Sequence, residues 1–522
     1  MRDFHLPGRS PVFATNGMCA TSHPLAAAIA NDTLKRGGNA VDAAIAGAIL
    51  LGLCEPQMTG LGGDMFALIS QDGEVRGLNA SGRAPAGISA DAMRAKGHKA
   101  VPTYSVDAVS VPGAVDGFCT LSDTMGRLGM ADILGPLIPY FENGVPVAPR
   151  VADDWAKAEN LSGEARNHFL VDGKVPTPGT VFRAPGQAEV LRQIAEKGRA
   201  GFYEGPVAED MVNSLRAMGG THTLDDFANT ACEWVEPITG TYRGTELVEL
   251  PPNGSGATAL LLLKMLEDFD ISALDPLGAE RAHLEAEAAK LAYNARNRFI
   301  ADAGHTMRLE HMLSQETARK LAGLIDMDRA MAAPAPLSEQ VHKDTIYITV
   351  VDGDGMAVSL IYSVFHSFGS GLASTKYGIG FQNRGAGFTL EQGHPNEVGP
   401  GKRPMHTIIP AMLKRNGRVE MPFGVMGGAY QPNGHARLIS NLVDYDMDPQ
   451  TAIDAPRSFG ALGPMDLENG YAPAVWDALR AKGHEVCTPL TAIGGAQAIR
   501  IHSDGVLEGA SDTRKDGCAL GY

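Results

Sequence analysis

The chain has 522 residues, 44% hydrophobic and 20% charged, which supplies a large buried core and excludes a disordered or low-complexity polymer. Its formal net charge of −16 sets the surface against phosphate backbones and anionic membranes, so neither nucleic acid nor a membrane is an expected partner. The six cysteines (19, 54, 119, 232, 487, 518) show no CxxC or metal-ligand spacing and are expected to be reduced, several as small core fillers. There is no apolar h-region at the start and no run of about 18 apolar residues, so the expectation is a cytoplasmic protein.

In chain order, HPLAAAIANDTLKRGG (23–38) places apolar residues at three- and four-residue steps and ends on Gly37-Gly38, a helix stop. NAVDAAIAGAILLGLCEP (39–56) opens on an Asn cap and stops at Pro56, which predicts a second helix packed on the first. MFALIS (65–70) and EVRGLNA (74–80) read as short strands. Residues 114–330 are mainly helical in pattern, with a strand pair around TGTYRGTELVELPP (239–252). MAAPAPLSEQVHKD (331–344) mixes Ala/Pro bias with charge and is expected to be an exposed, mobile loop.

From 345 the texture changes. TIYITVVDGDGMAVSLIYSVF (345–365) is two alternating β-runs about Asp352-Gly353-Asp354-Gly355, a hairpin signal. Further strands are expected at HTIIPAMLKR (406–415), at MPFGVMGG (421–428) and near the C-terminus. Strands set among helical segments predict a layered α/β or α+β fold.

The 344/345 junction is the chemically distinctive point, because a weakly packing loop runs straight into a strand that begins with Thr345. A Thr hydroxyl is a weak nucleophile and needs a base beside it. A cut between Asp344 and Thr345 would free an α-amine, of ordinary pKa roughly 8, on the same residue, so that nucleophile and base travel together. Taken alone, Thr345 fits better as a plain strand opening, a common role for Thr.

DTIYITVVDGDGMAVSLIYSVFHSFGSG resembles the start of the small subunit of γ-glutamyltransferases, where a Thr is the autocatalytic nucleophile. ATSHPLAA, GGNAVDAAIA and TGLGGDMF resemble the family's early large-subunit signature. SVPGAVDGF, PPNGSG, GKRP, MGG and GASDTRKDG resemble further blocks, in order, across most of the chain. The resemblance implies an α+β fold, the four-layer αββα sandwich of N-terminal-nucleophile hydrolases. It implies one precursor cut into 1–344 and 345–522, which stay together as a heterodimer; a dimer of such heterodimers remains open. Carried over, Thr345 is the nucleophile with its own amine as base, Ser363 steadies that amine, and Gly427 and Gly428 supply the oxyanion-hole N–H groups. No cofactor or metal is implied.

The glutamate-recognition half of the family pattern is altered. Arg83, in SGRAP, sits two positions later than the family's carboxylate-binding Arg. Phe365 stands where the family has an Asn that binds the head group. Gly387, in QNRGAGF, replaces the Asp that pairs with the substrate ammonium. His406 and Thr407 replace two Ser residues. Removing the anionic partner of a desolvated ammonium costs roughly 2–5 kcal/mol, which argues against glutathione chemistry. Arg384 stands where the family has a neutral residue, and a guanidinium fork suits a carboxylate. His406 is expected to add a second donor. The pattern resembles the branch containing oxamate amidohydrolase, and the expected substrate is a small amide bearing a carboxylate. Alternatives are a γ-glutamyl hydrolase or transferase, and a dicarboxylyl (glutaryl-type) acylase with Phe365 against an apolar linker. Arg384 as a structural bridge, and His406 as a satisfied core imidazole, are the competing roles; His366 and His394 read as loop residues.

Overall fold

The computed structural model describes residues 5, 8–332 and 345–522. Asp344 and nearly all of the 331–344 loop lie outside the described residues.

Two seven-stranded sheets form the centre. The strands used below are β1 (Val12–Ala14), β2 (Met18–Thr21), β3 (Asp64–Gln71), β4 (Glu74–Ala80), β5 (Glu233–Val235), β6 (Ile238–Tyr242) and β7 (Thr245–Glu249). After them come β8 (Ile346–Val351), β9 (Ala357–Ser363), β10 (Ala411–Arg415), β11 (Arg418–Met426), β12 (Gly495–Ile501), β13 (Leu507–Ser511) and β14 (Cys518–Gly521). One sheet runs β14-β2-β8-β9-β3-β4-β5 and the other β1-β13-β12-β11-β10-β7-β6. Every pairing in both is antiparallel.

The sheets pack face to face through Phe66, Leu68, Tyr347 and Ile361 of one and Val248, Met412, Met426 and Ile499 of the other. Alternation along each strand sends the other residues outward, where helices cover them. On the β8 side, Ile346, Ile348, Leu360 and Tyr362 join a core with α1 (Pro24–Lys35), α2 (Ala40–Cys54) and α3 (Ala114–Met125). On the other side, α4 (Gly256–Leu266), α5 (Ala279–Phe299) and α6 (Gln431–Val443) cover Leu413, Phe423 and Val425. This is the expected αββα sandwich.

Local signals explain the elements near β8. Asn39 caps α2, accepting from the N–H of Val41 and Asp42, while Asp42 accepts from Asn39 N–H in return. All fifteen residues of α2 are buried; apart from Asp42, which is bonded in the cap, none is polar, and a helix apolar on every face belongs in a core. Its Gly47 allows close packing on β8: a Cβ there would stand 2.4 Å from Ile348 Cδ1. The 345–365 hairpin is realised with Ile346 opposite Tyr362 and Val351 opposite Ala357. The strand expected over 406–415 is shorter, Ala411–Arg415. Pro410 has no N–H for a ladder, and upstream N–H groups bond elsewhere: His406 to the Asn253 carbonyl (2.8 Å) and Ile409 to Gln431 Oε1 (2.9 Å). All six cysteines are free thiols.

A polar link crosses between the sheets. Tyr347 Oη and Ser359 Oγ share a hydrogen bond of 2.7 Å, and Ser359 Oγ bonds the Phe423 carbonyl (3.2 Å) and the Ala411 N–H (3.1 Å) of the opposite sheet. Beside it, Gly424 lets the β11 backbone lie against the Tyr347 ring, where a Cβ would come within 2.3 Å of Cε2. Gly424→Ala is therefore expected to force the sheets apart and destabilise the protein by about 1–3 kcal/mol, read as a lower urea midpoint at unchanged m-value.

Candidate active site

Thr345 sits at the head of β8 and is 1% exposed. Its Oγ1 donates to Ser363 Oγ at 3.4 Å, and Ser363 Oγ also accepts the Phe365 N–H at 2.8 Å. Ser363 ends β9 and lies opposite Asp64, the first residue of β3. Thr345, Ser363 and Asp64 thus occupy one end of the space between the sheets.

Phe365 has φ +83°, a backbone state that L-residues rarely adopt. Its buried ring lies under the guanidinium of Arg384, with Cζ 3.8 Å from the ring centroid, a cation–π stack. Arg384 is itself fully buried in a short 3₁₀ turn, Arg384–Gly387, and donates from Nη1 to Thr407 Oγ1 at 3.1 Å. Contacts therefore run without a break from Thr345 through Ser363 and Phe365 to a buried cation.

His406 meets a different set of partners from those expected. Its Nε2 faces Asp64 Oδ2 at 3.2 Å, and its Nδ1 accepts from Ile408 N–H at 3.4 Å. The ring also packs on Phe66, centroids 4.7 Å apart. Burial pushes its pKa down to about 3; Arg384 adds to the effect and Asp64 opposes it. A neutral imidazole whose one N–H goes to Asp64 has no hydrogen left for a substrate. The second-donor expectation for His406 is corrected accordingly: it is a satisfied core imidazole beside the site.

Gly427 and Gly428 lie where β11 turns into α6, with φ +126° and +54°. A Cβ on Gly427 would stand 2.9 Å from Gly494 Cα, so conformation and space both select glycine. Arg83 is half-exposed and committed to Glu233 (2.5 Å), Asp302 (3.4 Å) and the Gly401 carbonyl (3.0 Å). These bonds engage it outside the Thr345–Arg384 chain of contacts. His366 bonds Asn383 at 3.0 Å and His394 bonds the Asn297 carbonyl at 2.9 Å, in keeping with loop roles.

Two residues given no role from sequence organise the site. Asp64 Oδ1 accepts from Gly82 N–H and Gln382 Nε2, both at 2.7 Å, besides the His406 bond. Asn253 accepts from Asn79 (2.8 Å) and donates to Ser81 Oγ (3.2 Å) and the Pro404 carbonyl (2.7 Å). Both lie inside recognised blocks, TGLGGDMF and PPNGSG. The available signal was a charged or amide side chain among glycines and prolines, a setting that serves backbone geometry as often as chemistry.

The layered fold, with a Thr heading a central strand, defines an enzyme of the N-terminal-nucleophile hydrolase class. The family model described as Gamma-glutamyltranspeptidase matches residues 26–522. The glutathione hydrolase-like YwrD proenzyme of Bacillus subtilis is 36% identical, covering 98% of this chain and 99% of the relative. The oxamate amidohydrolase proenzyme of Klebsiella pneumoniae is 35% identical, again covering 98% and 99%. A solved cephalosporin acylase from Bacillus halodurans superposes with TM-score 0.93 at 38% identity, over 100% of this chain and 99% of that one. The chain belongs to the gamma-glutamyltranspeptidase family.

The depressed pKa of His406 has a stability consequence. Above the unfolded value of about 6.5 the ring is neutral in both states and acid linkage is nil. As pH falls below 6.5 the unfolded ring takes a proton that the folded one refuses, so stability drops until about pH 3. His406→Gln is expected to make the urea-unfolding free energy fall less steeply between pH 6 and 4, by up to about 1.4 kcal/mol per pH unit.

Proposed function

We propose that this protein is a self-cleaving amidohydrolase that acts on a small amide carrying a carboxylate, of which oxamate is the model. The observation that carries this reading is the buried Arg384 guanidinium, stacked at 3.8 Å on Phe365, whose N–H bonds the same Ser363 hydroxyl that receives Thr345 Oγ1. The reading takes a short substrate to span from the cation to the nucleophile, with its carboxylate on Arg384 and its amide at Thr345. Gly387 where the family has an Asp removes the usual partner of an α-ammonium, and the 35% identity to an oxamate amidohydrolase agrees with that.

In this reading the Asp344–Thr345 bond is cut first, giving fragments 1–344 and 345–522 that remain one heterodimer. Thr345 Oγ attacks the amide carbonyl and its own α-amine takes the hydroxyl proton. The N–H groups of Gly427 and Gly428 receive the oxyanion; losing one such donor typically costs about 3–4 kcal/mol of transition-state stabilisation. Protonated by the ammonium so formed, the leaving amine or ammonia departs, and water then hydrolyses the acyl-enzyme. Arg384 holds the substrate carboxylate, with Thr407 fixing one of its nitrogens. Six free cysteines support a cytoplasmic setting; among the described residues no helix is long and apolar enough to cross a membrane.

A second reading is a dicarboxylyl acylase. It draws on the superposition with a cephalosporin acylase and on Phe365 as an apolar wall near Thr345.

Released ammonia from oxamate, set against p-nitroaniline from γ-glutamyl-p-nitroanilide and amine from a glutaryl amide, separates the readings on processed enzyme. Oxamate is expected to give the highest kcat/KM; a preference for either other substrate by more than tenfold replaces the first reading. Arg384→Ala should raise KM for the anionic substrate by about tenfold or more, equivalent to about 1.4 kcal/mol; an unchanged KM removes Arg384 from the pocket. Thr345→Ala should persist as one uncut, inactive band on a denaturing gel, and cleavage ahead of residue 345 in that variant would exclude Thr345 as the nucleophile.

A further inference from the structure

The cation of the proposed reading stands on a turn of only four residues, Arg384–Gly387. A guanidinium on a long side chain has many rotamers to lose, so a site that uses one needs neighbours that fix where it points. The two residues ahead of it are both fully buried amides, Gln382 and Asn383. Gln382 is anchored to β3 and the loop before it, with Nε2 on Asp64 Oδ1 (2.7 Å) and its N–H on the Gly62 carbonyl (3.1 Å).

Asn383 occupies the N-cap position of the turn and makes no capping bond there, although capping is the usual task of an Asn so placed. Its side chain goes elsewhere. Oδ1 accepts the His366 N–H at 3.1 Å, and Nδ2 donates to the Thr103 carbonyl and to His366 Nδ1, both at 3.0 Å. The Asn383 N–H adds a bond to the Val364 carbonyl at 3.2 Å. The amide's orientation follows from its partners, because a backbone N–H only donates and a carbonyl only accepts. His366 Nδ1 is then an acceptor, which leaves the ring hydrogen on Nε2. Burial pushes the pKa of that ring down to about 4, in keeping with its neutral form.

These bonds bracket the Phe365–Arg384 stack. Phe365, held at φ +83°, lies between Val364 and His366, and both of those are tied to Asn383. Arg384, 3.8 Å from the Phe365 ring centroid, follows Asn383 directly. One amide thus sets both partners of the stack and joins them to Thr103 of the first segment. Gly385 packs so tightly on the same stretch of chain that a Cβ would stand 2.7 Å from the Ala108 carbonyl oxygen.

We infer that Asn383 is a positioning residue for substrate recognition: it holds the Phe365 and Arg384 turns in register, so that the guanidinium is poised for a substrate carboxylate before binding. This rests on the carboxylate reading given above. Asn383 touches no reacting atom in that account. Its loss lowers the fraction of enzyme with the cation in place, which raises KM by the inverse of that fraction and leaves kcat alone.

The test is a double-mutant cycle on processed enzyme with oxamate, comparing Asn383→Ala, Arg384→Ala and the two together. Asn383→Ala is expected to raise KM about fivefold, with kcat changed by less than about twofold. Added to Arg384→Ala, it should change KM by less than about twofold, because the group it positions is already gone. If Asn383→Ala does not give processed enzyme, Asn383→Ser, whose hydroxyl can still accept the His366 N–H, takes its place with the same expectations. An unchanged KM, a fall in kcat in place of the KM rise, or a KM rise that persists undiminished in the Arg384→Ala background overturns the inference. Arg384→Ala with unchanged KM overturns the carboxylate reading and this inference with it; a raised KM there, together with any of the three results above, overturns this inference alone.

Discussion

The position of β8 is the constraint on which the remainder of the molecule turns. A nucleophile at the head of a strand is only as well placed as the strand, and β8 is held on every side. Ile348–Val351 pair with Met18–Thr21 on one edge, and Ile346–Val351 with Ala357–Tyr362 on the other. Outward, α2 presses on Ile348 through Gly47; inward, Tyr347 meets Gly424 and bonds Ser359. Loss of the peptide link ahead of Thr345 would leave all of these contacts in place, so the hydroxyl can be cut loose covalently without being set loose in space.

The same arrangement explains how one side of the site is kept and the other rebuilt. The Thr–Ser pair and the Gly-Gly turn are properties of strand ends in two packed sheets, and moving either would disturb the inter-sheet core. In the proposed reading recognition comes instead from 365–407, where Phe365, Arg384 and Thr407 lie outside the strands of the two sheets. Loops of this kind accept substitution without cost to the layers. Arg384 brings a fixed positive charge into a buried place, and the neutral state of His406 beside it follows from burial first and from that charge second.

Much of this was legible in the sequence, for identifiable reasons. The 345–365 hairpin declared itself by alternation and a DGDG turn, and α1 and α2 by their caps and stops. Thr345, Ser363, Arg384, Phe365 and Thr407 do fall together. Three things were not legible. The strand at 406–415 was overlong because Pro410 blocks a ladder that alternation alone suggests. His406 looked like a donor because its partner, Asp64, lies 342 residues away in sequence. Arg83 looked like a site residue because Glu233 and Asp302, which hold it, are likewise distant. Long-range pairing of charged groups leaves no periodic trace, so tertiary contacts decided each of these points.

For a chain cut between 344 and 345, as proposed, the order of strands has a consequence for how the two fragments come together. In one sheet β2, from the first segment, lies between β14 and β8 of the second; in the other, β1 caps an edge made by β13. Neither segment holds a complete sheet, so each alone would expose unpaired edges and half a core. Separately produced halves would meet as two aggregation-prone chains, whereas the intact polypeptide brings the same strands together at high effective concentration. Once formed, a nicked sandwich is held by its barrier to opening, and unfolding it would be a one-way event. Continuity of the backbone is thus a requirement for assembly and dispensable for persistence.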